Sequence, residues 1–163
     1  MGIQPPHSVV RVLTDLGFLW PEADEEKLFQ MGLHWVEFGA QLSGFAAKAQ
    51  PVAQSVWQHN KGEDIDAFQK AWNDKNHAHL VLTDGAQAAM VIGACFMICA
   101  IIVLALKIMV IVQIVILIIE IIQAFATAVP TFGASLLEIP VFKAITGRII
   151  GALVSEAIGA LLG

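Results

Sequence analysis

The chain has 163 residues, enough for one domain or two small ones. Hydrophobic residues make up 57% of it and charged residues 14%, whereas ordinary soluble domains have about 45–50% and about 25%. A formal net charge of −5 without a basic block argues against nucleic acid as a partner. The charges are concentrated before residue 86, and those that follow are Lys107, Glu120, Glu138, Lys143, Arg148 and Glu156.

The N-terminus lacks the charged and apolar segments of a cleaved secretory signal. We therefore expect a protein that is either membrane-associated or secreted without a cleaved signal. Residues 7–18 predict a short amphipathic helix that Gly17 and Pro21 end.

Residues 22–58 carry the strongest helical pattern of the first half. Acidic residues crowd the segment after Pro21, where the helix dipole favours anions. Alternating steps of three and four then predict a heptad packing seam, with a kink or break at Pro51. The seam is Leu28, Met31, Trp35, Phe38, Leu42, Phe45, Ala49, Val52 and Val56. A turn near residues 58–62 and a helix over 63–80 complete an antiparallel hairpin, so residues 1–85 are predicted to be a soluble amphipathic hairpin domain.

Residues 86–129 predict one very long apolar helix. Its stretch 88–106 has no charge and is long enough to cross a membrane, but the whole helix would measure about 66 Å at about 1.5 Å per residue. Its polar residues fall within about an 80° sector at about 100° per residue, so they form a polar stripe. Such a stripe marks a functional membrane site or faces water or a partner helix, and both alternatives stay open. The polar stripe is Gln113, Glu120, Gln123 and Thr127.

Two prolines bound a predicted linker over residues 130–140, and a last apolar helix is predicted over 141–163. Small residues recur in that helix at every fourth position: Gly147, Gly151, Ser155 and Gly159. This glycine ladder, or glycine zipper, allows two helix backbones to approach closely, so it predicts helix packing and homo-oligomerisation.

The order of several short motifs resembles the Trp-X-Gly, ESAT-like helical hairpins of type VII secretion. The resemblance is closest to the longer variant at the N-terminus of actinobacterial polymorphic toxins. The motifs are Trp20-Pro21-Glu22-Ala23-Asp24-Glu25, Trp57 followed by Gly62, Ala67-Phe68 followed by Trp72, and Pro130-Thr131-Phe132-Gly133-Ala134-Ser135. The resemblance implies an all-α fold, a recognition site at the hairpin turn formed by Trp57, Gly62, Phe68 and Trp72, and a secretion-machinery or small hairpin protein as partner.

The sequence predicts neither a metal-binding site nor a catalytic site. His77 and His79 point about 200° apart on a helix, so they do not share a metal. Phosphate-binding loops and nucleophile elbows are missing from the sequence. We therefore predict no catalytic residue, no metal and no cofactor, and hence no enzyme.

Together with the resemblance, the sequence predicts a secretion-linked helical module that inserts into a membrane, self-assembles, or does both, in a type VII secretion and toxin-delivery context. Two alternatives remain open at this point. One is a pore-forming membrane oligomer, and the other is a filament subunit with an Ile-rich helical core.

Overall fold

The computed structural model describes residues 2–74 and 76–162, so Met1, Lys75 and Gly163 lie outside the described residues. The structure is 82% helical, and the described part contains no strand, which confirms the predicted all-α fold. The helices are α1 (His7–Asp15), α2 (Glu25–His59), α3 (Glu63–Trp72), α4 (Ala78–Ala126) and α5 (Ile139–Leu162). A short 3-10 turn, Ala134–Glu138, precedes α5.

The ends of the first two helices follow from local chemistry. Gly17 follows Leu16, the C-cap of α1, and adopts a positive φ of 86°, a conformation that glycine reaches without steric cost. The Asp24 carboxylate accepts the Lys27 amide at 3.1 Å and so caps the start of α2. Helix α2 continues through Pro51. This proline is exposed, so water can reach the carbonyl that loses its helical partner.

Helix α4 starts at Ala78, so residues 78–85 belong to the same helix as the apolar stretch predicted from residue 86. The amides of Leu80 and Val81 donate to the His77 carbonyl, so the first hydrogen bonds of α4 begin at His77. Helix α4 therefore starts separately from α3, which ends at Trp72. At the other end, residues 127–133 form turns and Gly133 has a φ of 84°. Pro140 lies in the first turn of α5, where its missing N–H costs no helical hydrogen bond. The segment predicted as a linker, 130–140, thus holds turns, the 3-10 helix and the α5 start.

The chain divides into two compact units, with unit 1 formed by the described residues up to Lys27 and from Cys99 onward, and unit 2 by Leu28–Ile98. Unit 2 is an antiparallel hairpin. Its first arm is α2, and its second arm consists of α3 followed by the start of α4. The Trp57 ring contacts Phe68 at one end of the hairpin, and Gly32 contacts Gly93 further along.

Small residues form the hairpin seam of unit 2. On α2 every seventh residue is buried: Gly32, Gly39, Ala46 and Ala53. A Cβ added to Gly32 would lie 2.7 Å from the Gly93 carbonyl oxygen, and one added to Gly39 would lie 2.7 Å from the Ala86 carbonyl oxygen. The two backbones therefore touch at positions where only glycine fits.

This seam corrects the sequence prediction. One row of the predicted seam is exposed, with relative exposures of 45% at Met31, 49% at Phe38, 63% at Phe45 and 68% at Val52. The predicted seven-residue spacing of the seam on α2 is correct. However, the residues that face the second arm are the small ones, such as Gly32 and Gly39, and not the large ones beside them, such as Met31 and Phe38. Close backbone packing between glycines and alanines leaves this one row of large side chains outside the interface, whereas the other predicted row, which includes Trp35 and Leu42, is half-buried.

Large aliphatic residues form the core of unit 1. Val9 and Leu13 of α1 pack with Val110 and Ile114 of α4 and with Ile150 of α5. The N-terminal helix is thus part of a three-helix core. A polar contact fixes the turn after α4, since the Ser135 hydroxyl donates to the Ala124 carbonyl at 2.7 Å.

Candidate functional site

The aromatic residues predicted at the hairpin turn lie together in unit 2. The Trp57 and Phe68 ring centroids are 5.8 Å apart, and those of Phe68 and Trp72 are 5.9 Å apart. The Trp72 indole Nε1 donates to the Gln50 side-chain oxygen at 2.7 Å. Gly62 is exposed and starts α3 with a φ of 147°. These contacts tie α3 to the end of α2, which is a structural role for three of the four residues.

Two histidines extend this aromatic cluster. The Trp72 ring contacts His77 with centroids 4.8 Å apart and stacks on His79 with centroids 5.2 Å apart. The described residues hold no group of three or more His, Cys, Asp or Glu side chains suited to a metal ion. The contacts of this cluster are packing contacts between α3, the end of α2 and the start of α4, and its predicted recognition role stays a prediction.

An exposed apolar stripe runs along α2 in unit 2, and we call it the α2 stripe: Met31, Phe38, Phe45 and Val52. The residues recur at every seventh position, so they lie on one face of the helix. A shallow groove of about 210 Å³ opens beside it, lined by Met31, His34, Trp35 and Phe38. Trp35 and Phe38 meet edge to face with centroids 6.1 Å apart. Spacing and composition suit the apolar face of another helix.

The outer surface of unit 1 is apolar along both long helices. On α4 the exposed large residues have relative exposures from 43% to 61%. They are Ile101, Ile108, Met109, Val112, Val115, Ile116, Ile119, Ile122 and Phe125. On α5 they are Val141, Ile145, Ile149, Ile158, Leu161 and Leu162. Monomeric soluble proteins rarely expose contiguous apolar patches beyond a few hundred Å².

The polar stripe predicted on α4 is not part of the buried seam. Gln113 and Glu120 are half-buried, and Gln123 and Thr127 are exposed. The Thr127 hydroxyl donates to the Gln123 carbonyl of its own helix at 2.9 Å. The stripe therefore remains a predicted site on the surface of α4.

The glycine ladder on α5 is largely uncovered within unit 1. A Cβ added to Gly147 or Gly159 would have no heavy atom within 4 Å outside its own helix neighbourhood. One added to Gly151 would lie 3.6 Å from the Phe18 ring, and Ser155 is exposed. The ladder is thus open for a second helix at both ends, while Phe18 covers its middle.

A buried ion pair in unit 1 was missed by the sequence analysis. Lys107 is completely buried, and its Nζ donates to the Glu25 carboxylate and to the Ala23 carbonyl, each at 2.6 Å. The same Nζ lies 5.8 Å from the Trp20 ring centroid. Residues of the Trp20–Glu25 motif therefore surround the positive charge that Lys107 carries on helix α4. The signal in the sequence was Lys107 itself, which interrupts an otherwise uncharged run.

The surroundings of the Lys107–Glu25 pair lower the pKa of Glu25. Burial raises its pKa, but hydrogen bonds from the Lys107 ammonium and the Ile3 amide outweigh burial, so the pKa lies below the ordinary value of 4.5. The half-buried neighbour Asp24 also has a lowered pKa, because the Lys27 amide donates to its carboxylate. Glu25 is thus a charged partner for Lys107 at neutral pH.

By length and composition alone, two helical segments could cross a membrane: Ala78–Ala126 and Ala134–Leu162. Together with the hairpin of unit 2, these helices define the class of protein. It is an all-α protein built from a close-packed helical hairpin and long apolar helices.

Comparison with known families names the family. Residues 4–149 match the family described as WXG100 like domain. The match covers most of the chain, so the protein belongs to this family of Trp-X-Gly, ESAT-like helical proteins, and the predicted resemblance to Trp-X-Gly hairpins is confirmed. The likeness to the toxin-associated variant stays a prediction. Neither the curated proteins nor the solved structures contain a match.

Family membership fixes the general context. The protein is a helical module related to type VII secretion, and its family is not known as enzymatic. Members typically form dimers or hairpin pairs and work with the secretion machinery. The family link also indicates a secreted protein.

Proposed function

We propose that the protein is a non-enzymatic module of type VII secretion that places helices α4 and α5 in a membrane, in the context of toxin delivery. The observation that carries this proposal is the bare apolar surface of unit 1. Water solvates such a surface poorly, whereas lipid tails match it.

The dimensions of the helices agree with this role. Residues 99–126 of α4 would span about 42 Å, and a bilayer has a hydrocarbon core about 30 Å thick, so this part fits with a tilt. All 49 residues of α4 would exceed the bilayer by a wide margin. The membrane segment therefore begins within α4, and the domain organisation proposed is a hairpin followed by apolar helices.

Flotation with phospholipid vesicles tests the proposal. We expect the wild-type chain to float, and Ile108→Lys to need about 100-fold more lipid, because a lysine at the centre of a spanning helix costs about 2.5–3.5 kcal/mol. Phe45→Lys is the matched control, because Phe45 is exposed on α2 in unit 2. A wild-type chain that stays in the aqueous fraction at every lipid concentration would overturn the proposal.

Self-assembly through the glycine ladder is the second part of the proposal. Gly147→Leu and Gly159→Leu test it well, because both positions face open space and the variants leave unit 1 undisturbed. We expect smaller particles in mild detergent for both variants. Gly44→Leu, another glycine in open space, is the control on α2. Unchanged particle size in the ladder variants contradicts assembly through this surface.

Two outcomes separate the alternatives stated above. Release of a dye trapped in vesicles identifies a pore-forming oligomer. A change in that release in Glu120→Leu shows that the pore uses the polar stripe. Filaments seen by electron microscopy in detergent-free buffer identify a structural subunit with an Ile-rich core.

A specific observation also favours pairing with a second hairpin. The α2 stripe presents large apolar residues at heptad spacing outside the hairpin seam, and it can receive a partner helix. Sedimentation of the purified chain, alone and mixed with a candidate hairpin protein, tests this pairing. We expect Phe38→Ser and Phe45→Ser to weaken it and Gln54→Ser, on an exposed polar position, to leave it unchanged.

A further inference from the structure

The N-terminal segment covers part of the apolar helices in unit 1. We call residues 3–25 the strap. Its helix α1 places Val9 and Leu13 against Val110 and Ile114 of α4, and Phe18 lies on Gly151 of α5. The strap thus shields a face of α4 and α5 that would otherwise be exposed.

A polar latch holds the end of the strap. Lys107 donates to Ala23 and Glu25, and the second Glu25 carboxylate oxygen accepts the Ile3 amide. Both ends of the strap therefore meet at one buried charge. With the strap docked, the Lys107 charge is neutralised, and its side chain is only 1% exposed.

Lipid can replace one kind of strap contact but not the other. Lipid tails are as apolar as Val9 and Leu13, so exchanging these contacts for lipid costs little. Tails offer no hydrogen-bond acceptor for Lys107, so the latch is the contact that resists the exchange. The latch therefore sets the stability of the docked strap in the presence of a membrane.

The outer face of the strap is unsuited to lipid. Arg11, Asp15 and Glu22 are exposed on it, and charged side chains are costly in the hydrocarbon region. Helix α4 cannot bury its strap-covered face in lipid while these charges lie over it. We propose that the strap is a lid, latched by Lys107, that opens when unit 1 enters a membrane; this inference rests on the proposed membrane function.

The full chain with two spin labels tests the lid. Labels are attached at Arg11→Cys and Ala152→Cys, both exposed positions of unit 1, after Cys95→Ala and Cys99→Ala. Pulsed electron paramagnetic resonance measures the label separation without lipid and with phosphatidylcholine vesicles. We expect one narrow short-distance population in buffer and longer, broader distances in the floated fraction.

The outcomes distinguish the two proposals. A chain that does not float contradicts the membrane function itself. A chain that floats while the label separation stays short and narrow overturns the lid and leaves the membrane function standing. This measurement needs no change in the latch, so it remains decisive even if latch variants fold poorly.

A latch variant gives an independent test. Glu25→Gln removes the charged acceptor that Lys107 meets in the docked form, and the open form lacks this contact in any case. We therefore expect flotation at about tenfold lower lipid concentration, the equivalent of losing one charged hydrogen bond. Lys27→Gln is the matched control, because Lys27 pairs with Asp24 at 3.8 Å and its side chain is 78% exposed. Equal lipid dependence of Glu25→Gln and the wild type would contradict the latch.

Discussion

The two units use the same heptad spacing of α4 for different kinds of packing. In unit 2 its buried positions include the small residues Ala86 and Gly93, and the backbones of the hairpin touch. In unit 1 the same row continues through Lys107 and Ile114, which contact side chains of the strap. Spacing selects the face of a helix that is buried, whereas residue size and charge decide what covers that face.

The largest change in stability is expected at the buried Lys107–Glu25 pair, where a charge lies on the buried face of α4. Glu25→Ala removes the partner of a buried Lys107, so we expect a loss of about 3–5 kcal/mol in the free energy of unfolding. Chemical denaturation followed by circular dichroism measures this loss. A double variant, Glu25→Leu with Lys107→Met, removes both charges and should recover most of the stability. A double variant as unstable as Glu25→Ala would show that the charge is not the cause.

Acid should weaken the same contact in the wild type. The Glu25 pKa is lowered in the folded chain from 4.5, so the unfolded chain binds more protons between the two values. The stabilising contribution is complete above about pH 4.5 and is lost as the pH falls through the lower folded pKa. Denaturation midpoints measured across this range should decline less in Glu25→Gln than in Glu37→Gln, which changes an exposed carboxylate on α2. Parallel declines would contradict this assignment.

The sequence predicted the helices better than their contacts. Charge and apolar spacing indicated α2, α4 and α5, because these patterns depend on residues close together in the chain. The predicted hairpin seam included Met31, Phe38 and Phe45, because large apolar residues usually fill a core. The structure buries Gly32 and Gly39 instead, since close approach of two backbones depends on the residues of both arms.

The Lys107–Glu25 ion pair was also not predicted, because its two residues are far apart in the sequence. Lys107 and Glu25 were both noted in the sequence, but 82 residues separate them. Nothing in local periodicity links two such positions. The aromatic residues of the hairpin turn were easier to group, because Phe68 and Trp72 are one helical turn apart on α3.

Glycine substitutions on α2 test the hairpin side of the comparison. Gly32→Ala puts a Cβ 2.7 Å from the Gly93 carbonyl oxygen, so we expect a loss of about 1–3 kcal/mol from overpacking. Gly44→Ala is the matched control, because its Cβ meets nothing within 4 Å. It should stabilise the helix by about 0.5–1 kcal/mol. Equal effects of the two variants, measured by urea denaturation, would show that the arms are not in contact at Gly32.

The smallest effect is expected at the aromatic cluster. Trp72→Phe keeps an aromatic ring beside Phe68 but removes the indole donor to Gln50, so the free energy of unfolding should fall by about 0.5–1.5 kcal/mol. Gln50→Ala should cost a similar amount, and the double variant should cost less than both single variants added together. The partial additivity follows because the two changes remove one shared hydrogen bond. Full additivity in the double-mutant cycle would mean that Trp72 holds α3 against α2 by ring packing alone.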